Sequence, residues 1–444
     1  MKRILVLAGF LGVCTVATAA EQPSFTDVQG RTSVAEGRMP GATDYPDLPS
    51  LAVVTEVMEN SPQVKAAAAG IELEQANERG LNAGPYEFNV TLGAKQRNTD
   101  SEGNFNEWEA GLERGLRLPG KARIDQQLGI QGVRQARLAL GDALHESGRT
   151  LLRSWFSWRQ EHAQVKQWQA QVEVLQQQLG IVNKRIEAGD APVLERSLSE
   201  AALAQATYAL KQAELRAQMA ATDIQQRYVG LTLPADPAFM APEPLRENLD
   251  YWRTRILEHN HELALIRGEV ERAQLHINRA SADRTPDPTV GLNTSSERNG
   301  AEQVTGLFLS IPLSGSARAA TQSAALAQAS ISAQNEADTL RRLNAEIINT
   351  YASASSAYES WQSAQTAADA MQHNAGLMTR AYSLGEASLS ETLNARRQAL
   401  ETGLAAALAQ LNARETRYRL MLDAHLLWPL DKDEDAADAE HVHY

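Results

Sequence analysis

Histidine is the residue of this chain best suited to chemistry, because imidazole binds transition metals and titrates near neutral pH. His441 and His443 lie in an acidic C-terminal stretch, where they could bind a divalent cation weakly. A solvated tail without a bound ion is the alternative. His259 and His261 are two residues apart, and a helix would point them to different sides. We therefore predict no metal site within the folded part of the chain.

The remaining residue types do not form a recognisable catalytic set. The sequence has no cluster of serine, histidine and carboxylate, no phosphate-binding loop and no pair of catalytic acids. We predict that the protein is not an enzyme and uses no cofactor. It has 42 Lys and Arg against 55 Asp and Glu, a net charge of −13, which argues against nucleic acid as a partner.

The same arrangement of segments occurs twice along the chain. A turn-flanked extended segment ends near Gly120 and is followed by a long helical run that is broken at Gly189. A second extended segment ends near Gly315, and the helical run after it is broken at Gly385. The two pairs of glycines are offset by almost the same distance, which indicates a duplicated half-molecule.

The chain divides into six predicted parts. They are a signal peptide (1–20), an irregular N-terminal extension (21–47), a first repeat (48–231), a proline-rich linker (232–244), a second repeat (245–430) and an acidic disordered tail (431–444). Lys2 and Arg3 precede a short apolar stretch and small residues, as in secretory signals. Cleavage would change the net charge to −15 and remove Cys14, the only cysteine. Lipidation of Cys14 is the alternative.

Each repeat contains a predicted pair of strands, at 86–118 and 288–313. In the first pair, apolar residues such as Val90 and Leu92 alternate with polar ones over about ten residues, the length of a membrane-spanning strand. A water-soluble hairpin packed on a helix would show the same alternation. In the second pair both faces are partly apolar, so the pattern does not assign a lipid-facing side.

Each repeat also contains a predicted helical hairpin about 100 Å long, with its tip at Gly189 or Gly385. Four strands cannot close a barrel, and an open sheet edge is not viable in lipid. Three chains would supply twelve strands. We predict a mixed α/β membrane protein, mainly of long antiparallel α-helical hairpins forming an α-barrel. Four transmembrane β-strands per protomer form a shared 12-stranded β-barrel in a trimer.

These features together resemble the outer-membrane efflux proteins (TolC-like) over residues 51–428. The resemblance rests on the signal peptide, the duplicated strand–strand–hairpin unit, the glycine breaks and the junction Leu118-Pro119-Gly120-Lys121-Ala122-Arg123. That junction and Ile311-Pro312-Leu313 are most similar to the branch that serves heavy-metal pumps (CzcC-like).

The resemblance implies a passive trimeric conduit in the outer membrane of a Gram-negative bacterium, extending into the periplasm. Its implied partners are outer-membrane lipid, a periplasmic adaptor (membrane fusion) protein and an inner-membrane pump of the resistance-nodulation-division (RND) type. The implied cargo is heavy-metal cations, with drug efflux or type I protein secretion as alternatives. A soluble periplasmic coiled-coil adaptor is the remote alternative to a channel.

The resemblance also implies three sets of site residues. The constriction of the periplasmic gate is assigned to Glu391 and Asn394, with Glu195 as the first-copy equivalent of Glu391. The adaptor-docking tips are assigned to Arg185, Gly189, Asp190, Pro192, Tyr382, Gly385, Glu386 and Ser388, and the barrel–helix junction to Pro119, Gly120, Pro312 and Gly315. Three copies of Glu391 around a narrow pore would attract cations. An exposed helix face is the alternative role for Glu391, and Asn394 departs from the family's acidic pattern.

Overall fold

The computed structural model describes residues 45–428, which form eight α-helices and four β-strands. The helices are α1 (Leu51–Glu59), α2 (Pro62–Ala83), α3 (Pro119–Glu187), α4 (Val193–Arg227), α5 (Leu249–Glu258), α6 (His261–Asp283), α7 (Ser316–Ser383) and α8 (Leu389–Asp423). The strands are β1 (Asn89–Thr99), β2 (Gly103–Gly115), β3 (Thr289–Glu297) and β4 (Glu302–Ser310). The predicted signal peptide, most of the predicted extension and the acidic tail with its two histidines lie outside the described residues.

Two very long helices organise the described chain. α3 has 69 residues and α7 has 68, so each is about 100 Å long. α3 begins at Pro119, a position where the missing proline N–H costs no helical hydrogen bond. α2 and α4 both pack along α3, and α6 and α8 both pack along α7. Contacts of α3 with α6 and α8 join the two repeats.

The four strands form one antiparallel sheet in the order β1-β2-β3-β4. Its centre joins the two repeats, because β2 pairs with β3 in a register that sets Leu112 opposite Leu292. Within the described residues, β1 and β4 each have a strand partner on one side only. The predicted combination of long helices with a small set of strands is therefore confirmed. No helix in residues 45–428 is both long and apolar enough to cross a membrane.

The register gives the sheet two chemically different faces. Val90, Leu112, Leu292 and Leu307 stand opposite one another across all four strands, so they form one apolar row on a single face. All four side chains are exposed, Leu307 to 85%. The opposite face of the first pair carries ion pairs, among them Lys95–Glu109 at 3.6 Å and Arg97–Glu107 at 3.1 Å. Val290 and Leu309 extend the apolar face, which the sequence pattern left unassigned in the second pair.

The main hydrophobic core lies where α3 meets α1, α5 and the end of α8. Trp155, Phe156, Trp252 and Leu422 are all buried there. The buried carboxylate of Asp47 accepts hydrogen bonds from Arg414 and Tyr418 and pairs with Arg159 at 3.3 Å. Arg414 also donates to the Ala241 carbonyl at 2.9 Å. These bonds attach both the first described residues and the proline-rich linker to the core.

Candidate functional site at the two glycine turns

The two turns that join the long helices to their return helices have the same backbone structure. Gly189 and Gly385 have φ of +75° and +78°, a left-handed conformation that glycine adopts without steric cost. Asp190 donates its N–H to the Arg185 carbonyl at 2.8 Å, and Glu386 makes the matching bond at 2.9 Å. This is the Schellman ending of a helix. The duplication therefore extends to individual hydrogen bonds.

A small hydrophobic cluster holds the two turns against each other. Val182 near the end of α3, Tyr382 near the end of α7 and Leu389 at the start of α8 are 0%, 8% and 2% exposed. Ile186 and Leu393 pack around them. The first and second hairpins are thus in contact at their tips.

A polar triad accompanies this cluster, and we call Arg185, Tyr382 and Glu195 the tip latch. Arg185 donates to the Tyr382 hydroxyl at 2.6 Å, and that hydroxyl donates to the Glu195 carboxylate at 2.6 Å. Arg185 also pairs with Glu195 directly at 3.4 Å and donates to the Asp190 carbonyl at 3.1 Å. Because Tyr382 belongs to α7 while Arg185 and Glu195 belong to α3 and α4, separating the hairpins would break both contacts of Tyr382.

The environment of Tyr382 keeps the latch in its hydrogen-bonded form. Burial, and next the hydrogen bond to Glu195, raises the pKa of Tyr382 to about 12. The phenol therefore stays protonated near neutral pH and can donate to the carboxylate. The Arg185 guanidinium lies 5.0 Å from the centre of the Tyr382 ring, within the range of a cation–π contact.

The second turn uses its equivalent glutamate differently. Ser388 is the N-cap of α8, and the Glu391 carboxylate accepts from both the Ser388 N–H (2.8 Å) and the Ser388 hydroxyl (2.7 Å). The Ser388 hydroxyl in turn accepts from the Glu391 N–H at 3.3 Å. These bonds, first the one from the Ser388 N–H, lower the pKa of Glu391. Glu391 is thus an exposed carboxylate held in a capping box.

Asn394 lies on the same exposed face of α8 as Glu391. Its side-chain oxygen accepts a long hydrogen bond of 3.5 Å from Arg397, which also pairs with Glu401 at 3.4 Å. Position 394 therefore adds no negative charge to this face, and the Arg397 guanidinium lies next to Asn394.

Most of the predicted docking residues are exposed at the turns: Gly189, Asp190, Pro192, Gly385, Glu386 and Ser388. Arg185 and Tyr382, which were assigned to the same docking set, lie instead in the latch. Three large apolar side chains beside the turns were not in that set. Val193, Leu194 and Leu384 are 67%, 67% and 65% exposed.

The predicted junction residues Pro119, Gly120, Pro312 and Gly315 are exposed at or just before the starts of α3 and α7. The first junction is held by buried charge. Lys121, which is 2% exposed, pairs with Asp283 at 3.1 Å and Asp287 at 3.0 Å. At the second junction, Arg318 donates to the Asp283 carbonyl at 2.7 Å. Both junctions are therefore attached to the end of α6.

Sequence reasoning missed the side chains that connect the helices near the tips. Arg396 of α8 donates to Thr379 of α7 at 3.2 Å and to Gln178 of α3 at 3.3 Å. One signal for the latch was available: counted from the glycines, Tyr382 takes the place that Ile186 holds in the first repeat. A tyrosine at the end of an apolar stripe indicates that a hydroxyl needs a partner there.

The described residues contain no group of three or more His, Cys, Asp or Glu side chains that could hold a metal ion.

Comparison with solved structures identifies the fold. The CmeC outer membrane channel of Campylobacter jejuni matches with a TM-score of 0.71 and 14% identity, over 88% of this chain and 88% of that chain. The outer membrane protein VceC of Vibrio cholerae gives 0.70 and 15%, over 85% and 96%. The open state of the Neisseria gonorrhoeae MtrE outer membrane channel gives 0.69 and 16%, over 86% and 90%. The described chain therefore has the fold of these channels.

A separate comparison of sequence gives a family match over part of the chain. Residues 252–422 match the outer membrane efflux protein family. These residues lie in the second repeat, and the match confirms the predicted resemblance to that family. A comparison with the curated protein sequences gave no match.

Proposed function

We propose that this protein is the outer-membrane channel of a tripartite efflux system in a Gram-negative bacterium. In this role it is a passive homotrimeric conduit that exports heavy-metal cations from an inner-membrane RND pump, through a periplasmic adaptor, to the outside. The observation that carries the proposal is the four-stranded sheet, whose outer strands have partners on one side only and whose apolar face is exposed.

The two repeats act in this proposal as duplicated units, 48–231 and 245–430, joined by the linker 232–244. Each unit contributes one strand pair and one helical hairpin. Because β1 and β4 have free edges in the described chain, three copies can join edge to edge into a closed sheet of twelve strands.

The two faces of the sheet support a position in the outer membrane. The apolar row of Val90, Leu112, Leu292 and Leu307 suits lipid, and the charged face around Lys95 suits a water-filled lumen. Strands of 9 to 13 residues are long enough to cross a bilayer when tilted.

The glycine turns are the proposed periplasmic end of the conduit. The tip latch holds the hairpins together in the closed state, and Glu391, with Asn394 beside it, faces the constriction. Val193, Leu194 and Leu384 offer the apolar contact surface that the adaptor would cover, with the polar residues of the turns at its rim.

Metal cations are favoured as cargo by the two junction motifs and by an exposed carboxylate whose pKa is lowered, because such a group stays charged in an acidified periplasm. Drug efflux and type I protein secretion remain the alternative cargoes, and a soluble periplasmic adaptor is the remote alternative function.

Disulfide cross-linking tests the shared sheet. A series of double variants is made, each with one cysteine at a different position of β1 and a second cysteine at Val304 of β4. Some of these variants are expected to give linked dimers and trimers on a non-reducing gel. The matched control is the pair Glu109→Cys and Ser295→Cys, which stand opposite each other within one chain and should link without adding mass. Cross-links found only in the control, or a soluble monomer after detergent-free extraction, would contradict the channel.

Cargo is tested in the host by deleting the gene and measuring growth in the presence of divalent heavy metals and of drugs. Sensitivity to the metals alone, restored by the natural gene, supports metal efflux. Sensitivity to drugs alone, or loss of a secreted polypeptide, assigns the channel to one of the alternatives.

A further inference from the structure

Four histidines from distant parts of the sequence meet at the C-terminal end of α8. The rings of His145 and His425 are stacked, with centres 5.3 Å apart. His261 and His259 lie with ring centres 5.2 Å and 5.7 Å from His425. The prediction from spacing alone separated His259 from His261. It does not hold, because His259 ends α5 and His261 begins α6, so the two do not share a helix.

The cluster has the composition of a metal site but not the geometry. No three of the described metal-binding side chains are placed to hold an ion. The Nε2 of His145 lies 3.2 Å from the Leu422 carbonyl, and the Nδ1 of His259 lies 3.0 Å from the Arg255 carbonyl. These nitrogens face backbone oxygens rather than a common centre, so the chemistry available to the cluster is the binding of protons.

Two arginines beside the cluster hold the last residue of α8 and the residue that follows it. Arg149 donates to Asp423 at 2.8 Å, and Arg255 donates to the Ala424 carbonyl at 3.0 Å. His425 itself has φ of +55°, in the left-handed region that a non-glycine residue adopts at a cost. Leu427 and Trp428, just beyond it, are buried in the main core. We call residues 424–428 the α8 anchor.

Every element packed around the cluster carries charge. The cations are Arg149 of α3, Arg255 of α5, Arg342 of α7 and Arg419 of α8, and the acids are Asp142 and Glu146 of α3, Glu262 of α6, Glu346 of α7 and Asp423 of α8. The acids are largely engaged by arginines: Asp423 pairs with both Arg149 and Arg419, and lies 3.7 Å from His145.

A proton on His145 would therefore be weakly stabilised, because the nearby Asp423 carboxylate is already paired with two arginines. His145 is 8% exposed, and burial, followed by the charge of Arg149, lowers its pKa to about 4.

We propose that the histidine cluster is a proton-sensitive attachment for the C-terminal end of α8, which releases the α8 anchor when the surroundings become acidic. The neutral ring of His145 stacks on His425, whereas a proton on His145 would place a positive charge beside the Arg149 guanidinium. α8 is about 50 Å long, and its N-terminal end lies at the glycine turn with Glu391. Release of its C-terminal end therefore loosens the helix that carries Glu391. This inference does not depend on the cargo or on the channel role.

The direction of the pH effect follows from His145. Its pKa is lower in the folded chain than the ordinary value, so the released form binds protons more readily. The attachment is therefore fully stable above the ordinary histidine pKa and loses stability as the pH falls from about 6.5 toward 4. For this one group, the equilibrium constant for release rises about 30-fold between about pH 7.5 and about pH 5.

Hydrogen–deuterium exchange of the full-length protein in detergent tests the proposal at these two pH values, after correction for the intrinsic effect of pH on amide exchange. Protection of the α8 anchor is expected to fall about 30-fold in the natural protein and by about threefold or less in His145→Gln, whose amide can still donate to the Leu422 carbonyl. His425→Asn, which tolerates the left-handed backbone, is expected to respond more weakly than the natural protein, because the charge of His425 is one of the lesser causes that lower the pKa of His145.

His162→Gln, on the same helix but outside the cluster, is the matched control and should respond to pH like the natural protein. Unchanged protection of the natural protein at the lower pH would overturn the proposal. An equal fall in His145→Gln and the natural protein, or a lost response in the control, would overturn it as well.

Discussion

The two glycine turns have the same backbone but give their equivalent glutamates different tasks. Glu195 and Glu391 both occupy the third position of a return helix. Ser388 precedes the second helix and binds Glu391 in a capping box. Pro192 precedes the first helix and has neither an N–H nor a hydroxyl to offer, so the Glu195 carboxylate is available to Tyr382 and Arg185.

One residue at the N-cap thus decides whether the carboxylate closes on its own helix or bridges to the other hairpin. In the first turn, Glu195 bonds to Tyr382 of the other hairpin. In the second turn, Glu391 remains an exposed negative charge. Duplication preserved the backbone hydrogen bonds because glycine and local geometry suffice for them. Side-chain partners diverged because each depends on a single substitution.

Removing the guanidinium of the latch should have the largest effect. Arg185→Ala breaks the bonds to Tyr382 and Glu195 and is expected to destabilise the closed tip by about 2 kcal/mol, which raises the open fraction of single channels about 30-fold. Bilayer conductance of the purified protein measures this. Lys184→Ala, which removes an exposed charge one residue away, should leave the conductance unchanged, and a similar rise in both variants would contradict the latch.

Replacing the N-cap residue of α4 with the serine found at the N-cap of α8 should make the first turn resemble the second. Pro192→Ser supplies a capping hydroxyl and N–H that compete for Glu195, which is expected to weaken the latch by about 1 kcal/mol and open the channel about fivefold. In a Glu195→Gln background the same exchange should add little, because the latch carboxylate is already gone. Fully additive effects in this double-mutant cycle would show that the residue at position 192 acts independently of the latch.

Removing the second cap should affect only the start of α8. Ser388→Ala is expected to cost about 1 kcal/mol, seen as faster amide exchange at residues 388–392. Ser390→Ala, an exposed neighbour without a capping role, is the control. Equal exchange in the two variants would show that the capping box contributes no stability.

Neutralising Glu391 should have the smallest effect on stability. Glutamine can serve in a capping box, so Glu391→Gln is expected to change stability by less than about 0.5 kcal/mol while lowering cation selectivity and block. Asn394→Asp should act in the opposite direction, since it restores an acid on the same face. Unchanged selectivity in both variants would remove this face of α8 from the constriction.

Much of the local structure was predictable. Alternation over residues 86–118 and the proline-free run after Pro119 indicated strands and a long helix because periodicity and backbone restrictions act between near neighbours. Gly189 and Gly385 marked the turns for the same reason. The apolar face of β3 and β4 was not predictable, since it depends on the register with β2.

By itself, the sequence determined the order and kind of the segments, the duplication and the family resemblance, all of which rest on residues close together along the chain. Tertiary structure alone decided the partners. The latch joins residues 197 and 187 positions apart, and the stacked histidines lie at 145 and 425. Such contacts arise only when the packed helices bring distant segments together, because buried polar groups must find their partners within the protein.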